Sequence, residues 1–118
     1  MRKVFYLSTC NTSKRIIDTL DLRNRDFDFQ DIKFEAITDE QITEMSELAG
    51  SYEALFSKIA RKYKELDLKN QNLKEEDFKK YILEEYTFIK RPYMINVDEV
   101  FIGNSKTVVA AAVESFKE

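Results

Sequence analysis

Apolar and polar residues alternate along the chain in a way that predicts strands near both ends and helices between them. Residues 3–7 are a lysine followed by a continuous apolar run, which is typical of a strand buried on both faces. Residues 12–20 place apolar side chains at helical spacing and predict a helix. Phe27 and Phe29 alternate with polar residues and predict a second strand over residues 27–32. The first part of the chain therefore predicts a β-α-β unit.

Helical periodicity dominates the middle of the chain. Thr38 and Gln41 have the spacing of a capping box, and Gly50 is placed to end the helix that they begin. Apolar residues at helical spacing predict a further helix over residues 51–68 and another over residues 74–85. These stretches hold aromatic residues that we expect to pack in a core: Phe56, Tyr63, Phe78 and Tyr81.

The last part of the chain predicts a β-hairpin and a final helix. Pro92 cannot donate a hydrogen bond to a sheet, so we expect it to begin an extended segment. Residues 93–96 and 100–102 then predict two strands, and a polar turn precedes the helix. The order β-α-β, helices, β-β-α is that of the thioredoxin fold, an α/β fold with a four-stranded mixed sheet. We expect one domain over residues 1–118, with a helical insertion at about 38–88.

Net charge and hydropathy exclude two classes of partner. Lysine and arginine number 19 against 22 acidic residues, which gives a net charge of −3 and no basic excess to neutralise a nucleic-acid backbone. No apolar run approaches the roughly 18 residues that a membrane span requires. The N-terminal apolar run is shorter than the apolar region of about 7–15 residues in a signal peptide. We therefore expect a cytoplasmic protein that binds neither nucleic acid directly nor membrane.

The chain has one cysteine and no histidine, and this restricts its chemistry. An internal disulfide, a zinc site of the usual type and any mechanism with a histidine base are excluded. We expect no metal and no bound cofactor. The residue types that remain for chemistry are one thiol, carboxylates, lysine, arginine and tyrosine.

Cys10 lies between the first predicted strand and the first predicted helix. The free N–H groups and the dipole at a helix N-terminus stabilise a thiolate, so a thiol placed there can have a lowered pKa. The alternative at this point is that Cys10 is an inert, buried small side chain. The residues that follow add hydrogen-bond donors or positive charge: Asn11, Thr12, Ser13, Lys14 and Arg15.

Several separated segments together resemble the arsenate reductase (ArsC)–Spx family of thioredoxin-like proteins. They are residues 9–15, the run Lys90-Arg91-Pro92 before a hairpin, the run Ile102-Gly103 before the last helix, and residues 55–68. The resemblance implies that Cys10 is the nucleophile and that Arg91 precedes a cis-proline, Pro92. It also implies that Arg91 lowers the thiol pKa and binds an anionic ligand, with Asn11, Thr12, Lys14, Arg15 and Pro92 around the substrate.

Four positions depart from the pattern of the glutaredoxin-linked arsenate reductases. The enzymes that this chain resembles carry histidine at the position of Tyr6. They carry arginine at the positions of Lys14, Ser57 and Asn104. Only Arg91 is clearly kept among the arginines that bind the oxyanion. We therefore predict weak or absent arsenate reduction.

Ser13 stands where Spx-like proteins often have a second cysteine. A Cys-x-x-Ser site cannot close an internal disulfide, but it can form a mixed disulfide with glutathione, a partner protein or a second copy. Ser13 is a third catalytic candidate beside Cys10 and Arg91, although we expect its hydroxyl to cap the helix rather than to bind the thiolate.

Two functions follow from the resemblance. The first is a thiol redox protein, and if it is an enzyme, an oxidoreductase similar to arsenate reductase, with glutathione or a glutaredoxin-like protein as external reductant. The alternative is a non-enzymatic Spx-like module that binds RNA polymerase. A relic of the family with an inert Cys10 is a third interpretation.

Overall fold

The computed structural model describes residues 2–117, and the chain divides into two compact units. One unit joins the segment up to Glu35 to the segment from Arg91 onward, and the other is Ala36–Lys90. The predicted insertion at about 38–88 falls within the second unit. The single domain over residues 1–118 stays a prediction, and its two terminal residues lie outside the described part.

Helices and strands follow the predicted order. Short 3₁₀ turns at residues 22–24, 53–55, 68–70 and 86–88 separate some of them. In chain order the helices and strands are β1 (Arg2–Tyr6), α1 (Asn11–Thr19), β2 (Asp28–Asp31), α2 (Asp39–Ala49), α3 (Arg61–Glu65), α4 (Glu75–Glu84), β3 (Tyr93–Asn96), β4 (Glu99–Ile102) and α5 (Lys106–Ser115).

The first unit contains a four-stranded mixed sheet in the order β2-β1-β3-β4. β1 is parallel to β2 and antiparallel to β3, and β3 is antiparallel to β4. Tyr6 is in register with Asp31, and Phe5 is in register with Tyr93. The ends of β1 and β2 and the start of β3 therefore lie at the same edge of the sheet. This α/β architecture confirms the predicted four-stranded mixed sheet.

The helices α1 and α5 pack on this sheet through one apolar cluster. Val4 and Met94 from the sheet are fully buried beside Ile17 of α1 and Ala112 of α5. Ser105 accepts a hydrogen bond from the backbone N–H of Val108 at 3.1 Å and so caps α5. Because the cluster fixes α1 against β1, it also fixes the turn that joins them.

The second unit begins with the capping box that the sequence predicts. The Thr38 hydroxyl accepts from the Gln41 N–H at 3.0 Å, and the Gln41 side chain accepts from the Thr38 N–H at 3.1 Å. Gly50 ends α2 with a φ of 100°, a conformation that glycine adopts without steric cost. The predicted bounds of α2 are therefore confirmed at both ends.

The continuous helix predicted over residues 51–68 is wrong. Phe56 is extended and pairs with Ile89 as an isolated bridge, and only Arg61–Glu65 is α-helical. Asp67 has a φ of 52°, in the left-handed region that ends a helix. Ile59 counted toward the helical pattern but is 88% exposed. The apolar spacing reflects burial of separate short segments rather than one helical face.

The aromatic residues of the second unit form a core, as predicted. Phe56 stacks on Phe88 at 4.9 Å between ring centroids and meets Phe78 edge-on at the same distance. Tyr63 and Tyr81 pack on the edges of this cluster. No helix within residues 2–117 is long and apolar enough to cross a bilayer.

Candidate active site

Cys10 is the N-cap residue of α1, at the end of a tight turn that follows β1. Its backbone is extended, with φ −98° and ψ 109°, and its N–H donates to the Leu7 carbonyl at 2.9 Å. Its own carbonyl accepts from the Lys14 N–H at 3.2 Å, which begins the helix. Its side chain makes no capping hydrogen bond, and the thiol is partly exposed. The free N–H groups of the first helical turn therefore lie where they can stabilise a thiolate.

Ser13 occupies the third position of α1 and is fully buried. Within the described residues its hydroxyl oxygen has no hydrogen bond of standard geometry, although the hydroxyl and the Ser13 backbone N–H both act to lower the pKa of the Cys10 thiol. The expectation that Ser13 caps the helix is wrong, because the cap position belongs to Cys10. The polar group on which the Ser13 hydroxyl acts is the Cys10 sulfur.

Arg91 and Pro92 lie directly before β3, and Arg91 acts on the Cys10 thiol. The peptide bond between them is cis, as predicted. Pro92 is buried, and its carbonyl accepts from the Gly103 N–H at 3.0 Å, which ties it to the turn before α5. Arg91 is half-buried, and both its charge and a side-chain hydrogen bond to Cys10 lower the pKa of the thiol.

The pKa of the Cys10 thiol lies below its ordinary value. Partial burial is the largest influence and acts in the opposite direction, because it disfavours the charged thiolate. The hydroxyl and the backbone N–H of Ser13, followed by the charge and hydrogen bond of Arg91, together outweigh that burial. A partly exposed thiol with a lowered pKa is typical of a reactive cysteine rather than an inert one.

The remaining candidates at the turn are exposed or half-buried. Asn11, Lys14 and Arg15 have exposed side chains, and Thr12 is half-buried. The charge of Arg91 lowers the pKa of the thiol, whereas the positive charge that Lys14 and Arg15 add beside it stays a prediction. Their role in binding an anion, together with that of Pro92, stays a prediction.

The positions that depart from the reductase pattern lie in different surroundings. Tyr6 packs edge-on against Phe29 at 5.8 Å, on the apolar cluster of the first unit. Asn104 is exposed, whereas Ser57 is buried in the second unit, where its backbone N–H donates to the Phe88 carbonyl. These side chains supply no cationic group for an oxyanion.

Tyr93 and Asp31 are two further ionisable residues of the first unit whose pKa is shifted. Burial raises the pKa of the Tyr93 phenol, so this residue stays neutral beside Pro92. Asp31, at the end of β2, accepts hydrogen bonds from the backbone N–H groups of Ser8 and Lys33. Sequence reasoning missed Asp31, because its contact with Ser8 depends on the register of β1 and β2. Within residues 2–117 no group of three acidic or sulfur ligands could hold a metal.

The chain matches known proteins over nearly its whole length. The sequence model of the ArsC family matches residues 5–112, whereas no curated protein matches the chain significantly. A putative arsenate reductase from Yersinia pestis shares 14% identity at a TM-score of 0.78, covering 94% of this chain and 99% of that one. An arsenate reductase from Vibrio cholerae shares 15% identity at a TM-score of 0.77, covering 96% and 95%.

A third solved structure, a protein from Staphylococcus aureus, shares 24% identity at a TM-score of 0.74, covering 94% of this chain and 97% of that one. These likenesses show that the fold is thioredoxin-like. Because the family match spans Cys10 and Arg91-Pro92, and the four strands have the expected order, the chain belongs to the ArsC family.

Proposed function

We propose that this protein is a thiol-based redox protein in which Cys10 is the nucleophile and forms a mixed disulfide. Membership of the ArsC family supports a thiol redox role in general terms. The observation that carries the finer proposal is the partly exposed Cys10 thiol, whose pKa is lowered by Ser13 and Arg91. The proposed compartment is the cytoplasm, because a thiol that depends on an external reductant needs a reducing environment.

The proposed reaction is thiol–disulfide exchange with a disulfide of the glutathione type. The Cys10 thiolate attacks one sulfur of glutathione disulfide, a new S–S bond forms to Cys10, and the original S–S bond breaks. The leaving glutathione thiolate takes a proton from water. A second thiol, from glutathione or a glutaredoxin-like protein, attacks the mixed disulfide and regenerates Cys10. Ser13 cannot resolve it, since it has no sulfur.

Arsenate is a poor substrate in this proposal. Charge-assisted donors must hold the oxyanion in the transition state, and removing one such donor from a characterised site costs about 10²–10³ in rate. Tyr6, Ser57 and Asn104 stand where the reductases carry histidine or arginine. Arg91 is the arginine that acts on the thiol in this structure. Exchange with a disulfide needs less, because the negative charge stays on sulfur throughout.

Two assays on the full chain test the proposal. Incubation with glutathione disulfide followed by mass spectrometry is expected to show one glutathione on Cys10 and none on Cys10→Ser. Arsenate with glutathione and glutaredoxin is expected to give little or no turnover. If arsenate is turned over at the rate of a typical arsenate reductase, and Cys10→Ser abolishes this turnover, the protein is an arsenate reductase and arsenate is not a poor substrate. Failure to form the mixed disulfide would overturn the proposal.

The alternative proposal is a non-enzymatic Spx-like module that binds RNA polymerase. The same absence of cationic groups at Tyr6, Ser57 and Asn104 supports it, because a module without catalysis does not need them. It predicts binding to purified RNA polymerase that persists in Cys10→Ser. The redox proposal instead predicts that any partner is captured only through Cys10.

A further inference from the structure

Asp31 connects the end of β2 to the turn that carries Cys10. One of its carboxylate oxygens, Oδ1, accepts from the Ser8 backbone N–H at 3.3 Å and from the Lys33 backbone N–H at 3.2 Å. Ser8 lies two residues before Cys10, in the segment between β1 and α1. One carboxylate therefore holds two separate turns at this edge of the sheet.

The surrounding backbone leaves the Ser8 N–H dependent on this carboxylate. β1 and β2 pair in parallel up to Tyr6 and Asp31, and the Ile32 N–H donates to the Tyr6 carbonyl at 2.9 Å. The next backbone contact along the turn is the Cys10 N–H with the Leu7 carbonyl. Between these two bonds Asp31 supplies the acceptor for Ser8.

The carboxylate is held in its charged form. Partial burial opposes this, but the Ser8 hydroxyl and the backbone N–H groups of Lys33 and Ser8 lower the pKa of Asp31 below its ordinary value, with help from the Lys33 charge. Ionised carboxylates accept hydrogen bonds more strongly than neutral acceptors do. Asp31 therefore remains an acceptor at neutral pH.

We propose that Asp31 is a positioning residue for Cys10, because its carboxylate fixes the Ser8 end of the turn and thereby holds Cys10 at the N-cap of α1. The inference rests on the proposed thiol function and deepens it. Asp31 touches neither the thiol nor a substrate in this scheme. Its effect passes through the backbone from Ser8 to Cys10 and so to the alignment of the thiol with the N–H and hydroxyl of Ser13.

Three substitutions separate the hydrogen bond of Asp31 from its charge. Asp31→Asn removes the negative charge and keeps an oxygen acceptor of the same reach. Asp31→Ala removes both. Asp31→Ser retains a hydroxyl that can bond the N–H two residues on, at Lys33, but is too short to reach Ser8. All three lose the same charge, so any difference between them reports the hydrogen bond. Asp28→Ala, at an exposed position of the same strand, is the matched control.

The measurement is the alkylation rate of Cys10 across pH on each full-length variant, with unfolding in urea to verify the fold. Asp31→Ala and Asp31→Ser are expected to alkylate about fivefold more slowly than Asp31→Asn at neutral pH, the effect of one ordinary hydrogen bond. Asp28→Ala is expected to match the wild type. If Asp31→Ala does not fold, Asp31→Ser against Asp31→Asn carries the same comparison.

Two results would count against the inference in distinguishable ways. Equal rates in Asp31→Asn, Asp31→Ser and Asp31→Ala, with a low thiol pKa in the wild type, would overturn the positioning role and leave the proposed function intact. An ordinary thiol pKa in the wild type would overturn the proposed function and the positioning role together.

Discussion

Replacing Ser13 with alanine separates its two contributions to the Cys10 thiol. The substitution removes the hydroxyl and leaves the backbone N–H of the same residue in place. Both groups lower the pKa of the thiol, the hydroxyl more strongly. Ser13→Ala is therefore expected to raise that pKa without abolishing the stabilisation that the helix end provides.

The magnitude follows from the strength of a hydrogen bond to a charged group. Such a bond contributes about 1.5–3 kcal/mol to the stability of a folded protein. Sulfur is a weak acceptor and the thiol is partly exposed, so we take about 1 kcal/mol. That is a decrease of about fivefold in the ratio of thiolate to thiol. Alkylation at neutral pH, where the thiolate is the reacting species, is expected to slow by about the same factor.

Ser13→Ala is not expected to lower the stability of the fold. Within the described residues the Ser13 hydroxyl is buried without a standard hydrogen bond, and an unpaired buried hydroxyl costs about 1–3 kcal/mol. Ser13→Ala is therefore expected to keep or raise the free energy of unfolding at acidic pH, where the thiol is neutral. If Ser13 only stabilised the fold, its replacement by alanine would instead lower the free energy of unfolding.

The assay combines two readouts on the same samples. The ultraviolet absorbance of the thiolate gives the titration of Cys10, and unfolding in urea gives stability. Thr12→Ala is the control, since it removes a hydroxyl from the adjacent position of α1. A titration unchanged by Ser13→Ala would refute the assigned role of the hydroxyl, as would a shift equally large in Thr12→Ala.

Three further predictions concern charge, backbone and pH. Arg91→Gln is expected to raise the pKa of Cys10, because it removes a positive charge and a hydrogen-bond donor, whereas Lys14→Gln is expected to leave that pKa nearly unchanged. A larger pKa shift for Lys14→Gln in the thiolate titration would show that Lys14, and not Arg91, is the main positive charge acting on the thiol. Val97 has a φ of 63° in the hairpin turn, a conformation that costs a valine about 1–2 kcal/mol in steric repulsion. Val97→Gly removes this cost but adds the chain entropy of glycine, so we expect the free energy of unfolding in urea to rise by about 0.5–1 kcal/mol. A loss of stability would show that the turn tolerates valine. The stability of the wild type relative to Cys10→Ser is expected to rise with pH from the lowered native pKa up to the free-thiol value of about 8.5, because the unfolded chain binds more protons in that interval. A flat difference in unfolding free energy across that interval would contradict the lowered pKa.

The parts of the fold that could be predicted from the sequence are those in which one face of an element is buried. Val4 in β1 and Ile17 in α1 are buried in a shared cluster, so the spacing of apolar residues in each segment predicted the strand and the helix correctly. Thr38 and Gly50 act through local backbone geometry, and sequence spacing alone specifies that.

The segment after Gly50 could not be predicted in the same way. Phe56 is buried among aromatic rings and pairs with Ile89, 33 positions along the chain, and helical spacing carries no information about such partners. Asp67 adopts a left-handed conformation that the pattern of apolar residues does not signal. Long-range pairing and single unusual backbone angles therefore account for the wrong helix.

The candidate site shows the same division. The positions of Cys10 at a helix N-terminus and of Arg91 beside it followed from the order of elements and from the family resemblance. The role of Ser13 was misjudged, because the N-cap lies three residues earlier, at Cys10, and Ser13 is buried in the first turn of α1. Asp31 was missed, because its contact with Ser8 depends on the register of two parallel strands.

The pH dependence of Cys10 alkylation in the wild-type protein tests the central claim most directly. The chain has one cysteine, so a thiol-specific reagent such as iodoacetamide reports on this site without ambiguity. The structure predicts that the rate rises to its plateau with a midpoint below the value of about 8.5 for a free thiol. A midpoint at or above that value would show that Ser13 and Arg91 do not stabilise the thiolate, and would contradict the assignment of Cys10 as the nucleophile.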